Sequence, residues 1–139
     1  AAGPWGPVVG TTLTPDGKAL LVDDTLGDTI WSFDLQPKKS KKPQSGVTKS
    51  AFAKIPELKD GISGADGMAV DRDGRVYVAT GAGVQIFAKK GKFLGVIKVP
   101  RAPSNVAFSG PDKHTLYITA REGLYKVKML SQGPERAGK

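Results

Sequence analysis

One pattern recurs three times along this chain, and it leaves few folds open. The stretches GTTLTPDGKALLVDD (10–24), GMAVDRDGRVYVAT (67–80) and NVAFSGPDKHTLYITA (105–120) superimpose with single-residue gaps. Each carries a small or apolar strand into an Asp-containing turn and then into an apolar triplet: Leu20-Leu21-Val22, Val76-Tyr77-Val78 and Leu116-Tyr117-Ile118. A supersecondary unit repeated in this way marks an array architecture. The fullest copy runs from Ala65 to Val99 and holds four strand-like runs, Gly67–Asp71, Arg75–Thr80, Gly83–Ala88 and Lys92–Val99. The turns Asp73-Gly74, Gly81-Ala82-Gly83 and Lys89-Lys90-Gly91 between them are short enough for hairpins. In the second run Val76 and Val78 alternate with Tyr77 and Ala79, so both faces of the sheet are apolar. A small antiparallel sheet covered on both sides is a propeller blade.

Taken in order, the chain predicts an all-β fold of about three four-stranded antiparallel blades, half of a propeller or one partner in an assembled one, since closed propellers have about four to eight blades. The first blade spans 8–55, with strands expected at Val8–Thr14, Lys18–Asp24, Asp28–Leu35 and Val47–Ile55. The second spans 66–99. The third, 104–129, is incomplete, with strands at Asn105–Ser109, His114–Ala120 and Gly123–Met129 and no fourth. The polar tail, 130–139, is expected to fray. An open array should expose a full apolar sheet face at each end and an unpaired strand edge, and such surfaces mark an interface. The expected partner is therefore a missing N-terminal half or a second copy that completes the ring.

Composition closes off several classes. The longest apolar runs fall far short of the ~20 residues of a membrane helix, and the absence of Cys removes disulfides and thiolate metal sites without fixing the compartment. The chain begins Ala1-Ala2-Gly3-Pro4 without Met or a hydrophobic signal core, as a fragment or a processed chain does, export after removal of a signal peptide included. The net charge of +8 gathers partly in Lys38, Lys39, Lys41 and Lys42, between Pro37 and Pro43. This is read as a solvated loop: no aromatic side chain is interleaved with the lysines for stacking on bases, and nucleic acid is not an expected partner. There is no P-loop, no dinucleotide glycine motif and no GxSxG nucleophile elbow. The single His, His114, beside Lys113 in a turn, reads as a surface residue. Asp16, Asp71, Asp73 and Asp112 read as turn carboxylates, and Trp5 and Trp31 as packing between blades.

The strings DGMAVDRDGRVYVATGAGVQIF (66–87) and SNVAFSGPDKHTLYITAREGLYKVKM (104–129) resemble the C-terminal part of the senescence marker protein/gluconolactonase/luciferin-regenerating enzyme family. The likeness runs from Val9 to Met129 and is strongest from Asp66 onward. It implies a six-bladed propeller that hydrolyses small lactones with one divalent cation, Ca²⁺, Mg²⁺, Mn²⁺ or Zn²⁺, in its channel. By that resemblance Asp66 is the channel-facing metal ligand and a catalytic residue, and Asp24 is an acidic residue at the channel mouth with a catalytic role. Arg121 takes the place of the Arg in the family's TAR string, and Asn105, with Ser104, opens an inner strand; Asn105 and Arg121 are the substrate-binding candidates. The family's Asn ligand falls on Val9, which cannot ligate a cation, and its Glu ligand belongs to a region this chain does not contain.

The residues alone leave plainer readings open. Asp66 precedes a Gly and can serve as a turn residue, Asp24 as a loop carboxylate and Asn105 as a cap. Two functions follow: a metal-dependent lactonase represented by its C-terminal half with an incomplete catalytic set, or a non-catalytic propeller module for binding or assembly.

Overall fold

The computed structural model describes residues 7–36 and 48–135. Eleven strands lie among them, with no helix. They form three antiparallel sheets, each laid down in chain order. Blade 1 is β1 (Thr11–Leu13), β2 (Ala19–Asp23), β3 (Thr29–Asp34) and β4 (Thr48–Lys54). Blade 2 is β5 (Met68–Val70), β6 (Val76–Thr80), β7 (Gly83–Phe87) and β8 (Phe93–Ile97). Blade 3 has three strands, β9 (Pro103–Ser109), β10 (Thr115–Ala120) and β11 (Gly123–Lys128). Each strand expected from the sequence is present, most of them trimmed by one or more residues at their ends and β9 begun two residues earlier. Trp5 and the lysine-rich run 38–42 lie outside the described residues.

The turn between the first two strands shows how the repeat is encoded. Gly17, Gly74 and Lys113 donate their amides to Thr14, Asp71 and Gly110, closing three equivalent turns at 2.9, 3.0 and 3.1 Å. The closing residue is left-handed in every copy, with φ of 69°, 87° and 54°. Glycine takes this conformation freely, whereas Lys113 adopts it at a cost of about 1 kcal/mol. A carboxylate holds each turn from inside: Asp16 Oδ1 accepts the Lys18 amide, Asp112 Oδ1 that of His114, and Asp71 Oδ1 those of Asp73 and Arg75. The turn role expected for these residues is the one they play.

Strand alternation then assigns the faces. Leu21 and Ile30 of blade 1 meet Val76, Val78 and Phe87 of blade 2 in one core. Tyr77, Ala79 and Val84 on the other face of blade 2 meet Val106, Leu116 and Ile118 of blade 3 in a second. Inner strands β1, β5 and β9 stand side by side, β5 touching both of the others. Trp31 pairs with Val22 in register, opposite the Ile30 face, so it does not pack between the described blades; the Lys49 ammonium lies 3.4 Å from its ring centroid.

Three further expectations are corrected. The outward face of blade 3 is not fully apolar: the paired rows are Ser109–Thr115–Lys128, Ala107–Tyr117–Lys126 and Asn105–Thr119–Leu124. Only Ala107, Tyr117 and Leu124 are apolar there, because that side of each strand carries hydroxyls and lysines. Nor does the tail fray as far as residue 135. Arg72 donates its amide to the Gln132 carbonyl at 2.8 Å, Gly133 donates to Lys113 at 2.9 Å, and the hydroxyls of Ser131 and Tyr77 are 2.8 Å apart. His114, expected at the surface, is half-buried, its Nδ1 2.9 Å from the Ser131 carbonyl. Polar tail residues dock here by hydrogen bonds to the backbone and side chains of blades 2 and 3, a pairing that leaves no apolar signature in the sequence.

Candidate active site

The candidate site residues gather at the end of the array where the inner strands begin. Asp66 lies two residues before β5, the inner strand of blade 2, and its amide donates to Ala79 of the neighbouring strand at 2.9 Å. The next amide, Gly67, donates across the blade boundary to Ser104 at 2.8 Å, which ties Asp66 to the start of β9. No side chain fits at Gly67: a Cβ would collide with Asn105 Oδ1. Asn105 is thereby packed against the residue beside Asp66, and its Oδ1 accepts the Val106 amide at 2.9 Å. The half-buried Asp66 carboxylate has no hydrogen bond or ion pair among the described residues. It lines a groove of about 360 Å³ together with Lys59, Asp60, Ser104 and Arg121.

The structure thus brings Asp66, Ser104 and Arg121 to one groove with Asn105 beside them, and leaves Asp24 out. Asp24 Oδ1 accepts the Gly27 amide at 3.0 Å and closes its own loop, the plainer of the two readings open to it. The carboxylate that does approach Asp66 is Asp23, which sequence reasoning passed over. It is fully buried, its Oδ1 accepts the Gly10 amide at 3.0 Å, and its Oδ2 has no partner among the described residues. A Cβ on Gly10 would collide with both Asp23 Oδ2 and the Asp66 carbonyl oxygen, so these two oxygens close in on the Gly10 backbone and leave no room for a side chain. Burial pushes the Asp23 carboxyl up to about 6 against the pull of the Gly10 and Val9 amides, and the charges of Asp66 and Asp24 add to the rise. The signal for Asp23 was strand parity: Leu21 and Asp23 share a face of β2, whereas Asp24 lies past its end.

A divalent cation needs more than this. Asp66 offers a carboxylate, and Ser104 and Asn105 offer neutral oxygens, a hard donor set of the type Ca²⁺ and Mg²⁺ prefer. Among the described residues, however, no group of three or more His, Cys, Asp or Glu side chains could hold a metal ion. Val9, at the position implied for an amide ligand, is an exposed apolar side chain. The residues present do not by themselves fit a divalent cation.

Comparison with known proteins supplies the context. The family model described as SMP-30/Gluconolactonase/LRE-like region matches residues 6–122. A gluconolactonase from Zymomonas mobilis is 30% identical over 128 residues, covering 89% of this chain and 35% of that protein. Bovine regucalcin is 29% identical over 130 residues, covering 88% of this chain and 40% of its own length. Among solved structures, a gluconolactonase from Xanthomonas campestris superimposes with a TM-score of 0.72 at 27% identity, over 89% of this chain and 38% of that one. The chain therefore spans well under half the length of the relatives it matches.

Proposed function

This chain belongs to the SMP-30/gluconolactonase/LRE-like family, and we propose that it is the portion of a lactone-hydrolysing propeller that supplies Asp66 and the walls of the substrate groove, with a catalytic set that is incomplete on its own. The observation that carries this reading is Asp66, its backbone fixed by the hydrogen bonds of its own amide and that of Gly67, with its carboxylate in an accessible groove and without a partner among the described residues. Hydrolysis of a lactone needs a polarised carbonyl and an activated water. Asp66 can accept a hydrogen bond from a substrate hydroxyl or a water, Ser104 can donate one, and Asn105 braces the backbone beside them. The remaining polarising groups belong to whatever completes the ring, either a preceding half of the same protein or a second copy. One feature supports such completion: blade 3 has three strands, and the edge of β11 pairs with β10 alone among the described residues.

The test is calorimetric titration of the chain with Ca²⁺, Mn²⁺ and Zn²⁺, beside an aldonolactone hydrolysis assay. Weak binding is expected, lost in Asp66→Ala and tightened by about tenfold in Val9→Asn, which restores an amide oxygen at the apolar position. Rapid metal-dependent turnover by the 139-residue chain alone would overturn the incompleteness. Tight binding that survives Asp66→Ala would move the site elsewhere. Light scattering reads the assembly: a chain that persists as a well-folded 14.6 kDa monomer at micromolar concentration needs no completion. The second reading, a non-catalytic module, draws its support from Val9 and predicts that Val9→Asn leaves metal binding unchanged.

A further inference from the structure

The groove beside Asp66 has a second chemical character that lactone hydrolysis does not use. Lys59 and Arg121 stand in its lining, and neither has an ion pair or side-chain hydrogen bond among the described residues. Asp60, next to Lys59, and Asp66 share this lining and have no ion pair among the described residues, while two further acids close by in sequence are engaged by other cations. Glu57 pairs with Lys98 at 3.1 Å, and Glu122, next to Arg121, pairs with Arg101 at 3.1 Å.

Both cations are mounted on tight turns. Lys59 and Ile62 exchange backbone hydrogen bonds of 2.9 and 3.2 Å around Asp60 and Gly61, whose φ values are 55° and 80°. Two left-handed central residues make this a type I′ turn, a favoured two-residue connection. The stem of Lys59 lies against Gly81, where an added Cβ would be 3.2 Å from the Lys59 Cβ. Gly81 opens the β6–β7 hairpin as Arg121 opens the β10–β11 hairpin. The same turn position therefore carries a cation directly in blade 3 and leaves room for one in blade 2. Arg121 holds φ at 53°, a conformation that side-chain-bearing residues adopt at a cost and that gathers at functional sites.

We propose that Lys59 and Arg121 form an anion-recognising end of this groove, so that its substrate is a lactone bearing a carboxylate or phosphate remote from the ester. The proposal rests on the lactone reading for the Asp66 end and on the two cations alone for the other. Arg presents a planar fork matched to either anion and Lys a point charge, and Ser104 in the same lining adds a hydroxyl donor.

Product-like sugar acids test it on the chain as it stands, by calorimetry with gluconate, glucarate and 6-phosphogluconate. All three carry the carboxylate that lactone opening creates, and they differ at the far end: neutral, carboxylate or phosphate. The doubly anionic acids should bind about fivefold more tightly than gluconate, and the arm with the larger ratio identifies the anion. In Lys59→Gln/Arg121→Gln the preference should vanish, the affinities of glucarate and 6-phosphogluconate falling to that of gluconate measured on the same variant. Lys126→Gln, the same type of charge change on the outward face of blade 3, should leave the preference intact. Equal affinities in the wild type, absence of binding by all three acids, or a preference that survives the double substitution each overturn the proposal. Asp66→Ala separates the two readings. If it weakens all three acids alike, both stand; if it changes none of them while the preference persists, the lactone reading fails and the anion site remains.

Discussion

Tyr77 and Tyr117 hold the same place in successive copies of one repeat, and the fold treats them differently. Tyr77 is 1% exposed, its ring set edge-on to Phe108 at 5.0 Å and its hydroxyl 3.0 Å from Asp71 Oδ2. Tyr117, on the outward side of blade 3, is half-buried in a row with Ala107 and Lys126. The residue in this place always faces the following blade: Leu21 faces blade 2 and Tyr77 faces blade 3. Tyr117 faces the place of a blade that would follow. Burial in this architecture is thus conferred by the neighbour, while the strand itself is specified locally. The adjacent repeat position says the same, with Asp23 and Ala79 buried and Thr119 exposed.

The largest effect that tests this contrast is truncation of the two tyrosines. Tyr77→Ala should destabilise the chain by about 4 kcal/mol and Tyr117→Ala by about 1 kcal/mol in urea unfolding. Equal losses would mean that the outward face is covered in solution. Next comes Asp23, the charged member of the second row. Its carboxyl is raised from 3.8 to about 6 by burial, so the folded state binds more protons than the unfolded one between those values. Stability from this group is therefore present below pH 4 and is lost as pH rises through 6, by about 2–3 kcal/mol. Asp23→Asn should flatten that slope when unfolding is compared at pH 4.5 and 7.5, and an unchanged slope would place the titration elsewhere. Smaller still is the hydroxyl: Tyr77→Phe should cost about 1–2 kcal/mol by removing a donor from buried Asp71, and Tyr117→Phe close to nothing. Last, Gly17→Ala should cost about 1 kcal/mol in thermal unfolding. Nothing lies within 4 Å of the added Cβ, so the left-handed turn alone is at issue, the same conformation Lys113 already bears.

What the sequence revealed and what it hid follow one division. The eleven strands were legible because each boundary is marked by a local device, such as Asp16-Gly17 or Asp73-Gly74, and because alternation such as that of Val76, Tyr77 and Val78 reports two covered faces. Asp66 was legible through the string around it and Arg121 through the TAR string, and the groove brings these two together. Asp23 was hidden behind Asp24 because choosing between neighbours demands the exact strand end, which here is a matter of one residue. Lys59 was missed because its place in the groove depends on a turn packing against Gly81 from another part of the chain. The docking of Ser131 and Gln132 was invisible for the same reason: their partners Tyr77 and Arg72 are more than fifty residues away.

That docked tail has a kinetic consequence. Most contacts in the array join neighbouring hairpins and can form early, but Gln132 reaches Arg72 and Ser131 reaches Tyr77 only once blades 2 and 3 are already side by side. Interactions made after the rate-limiting step leave the rate of folding alone and slow the reverse reaction. The last described residues of the chain therefore work as a latch on its lifetime: a chain ending at Met129 would assemble as quickly as the longer one and come apart sooner.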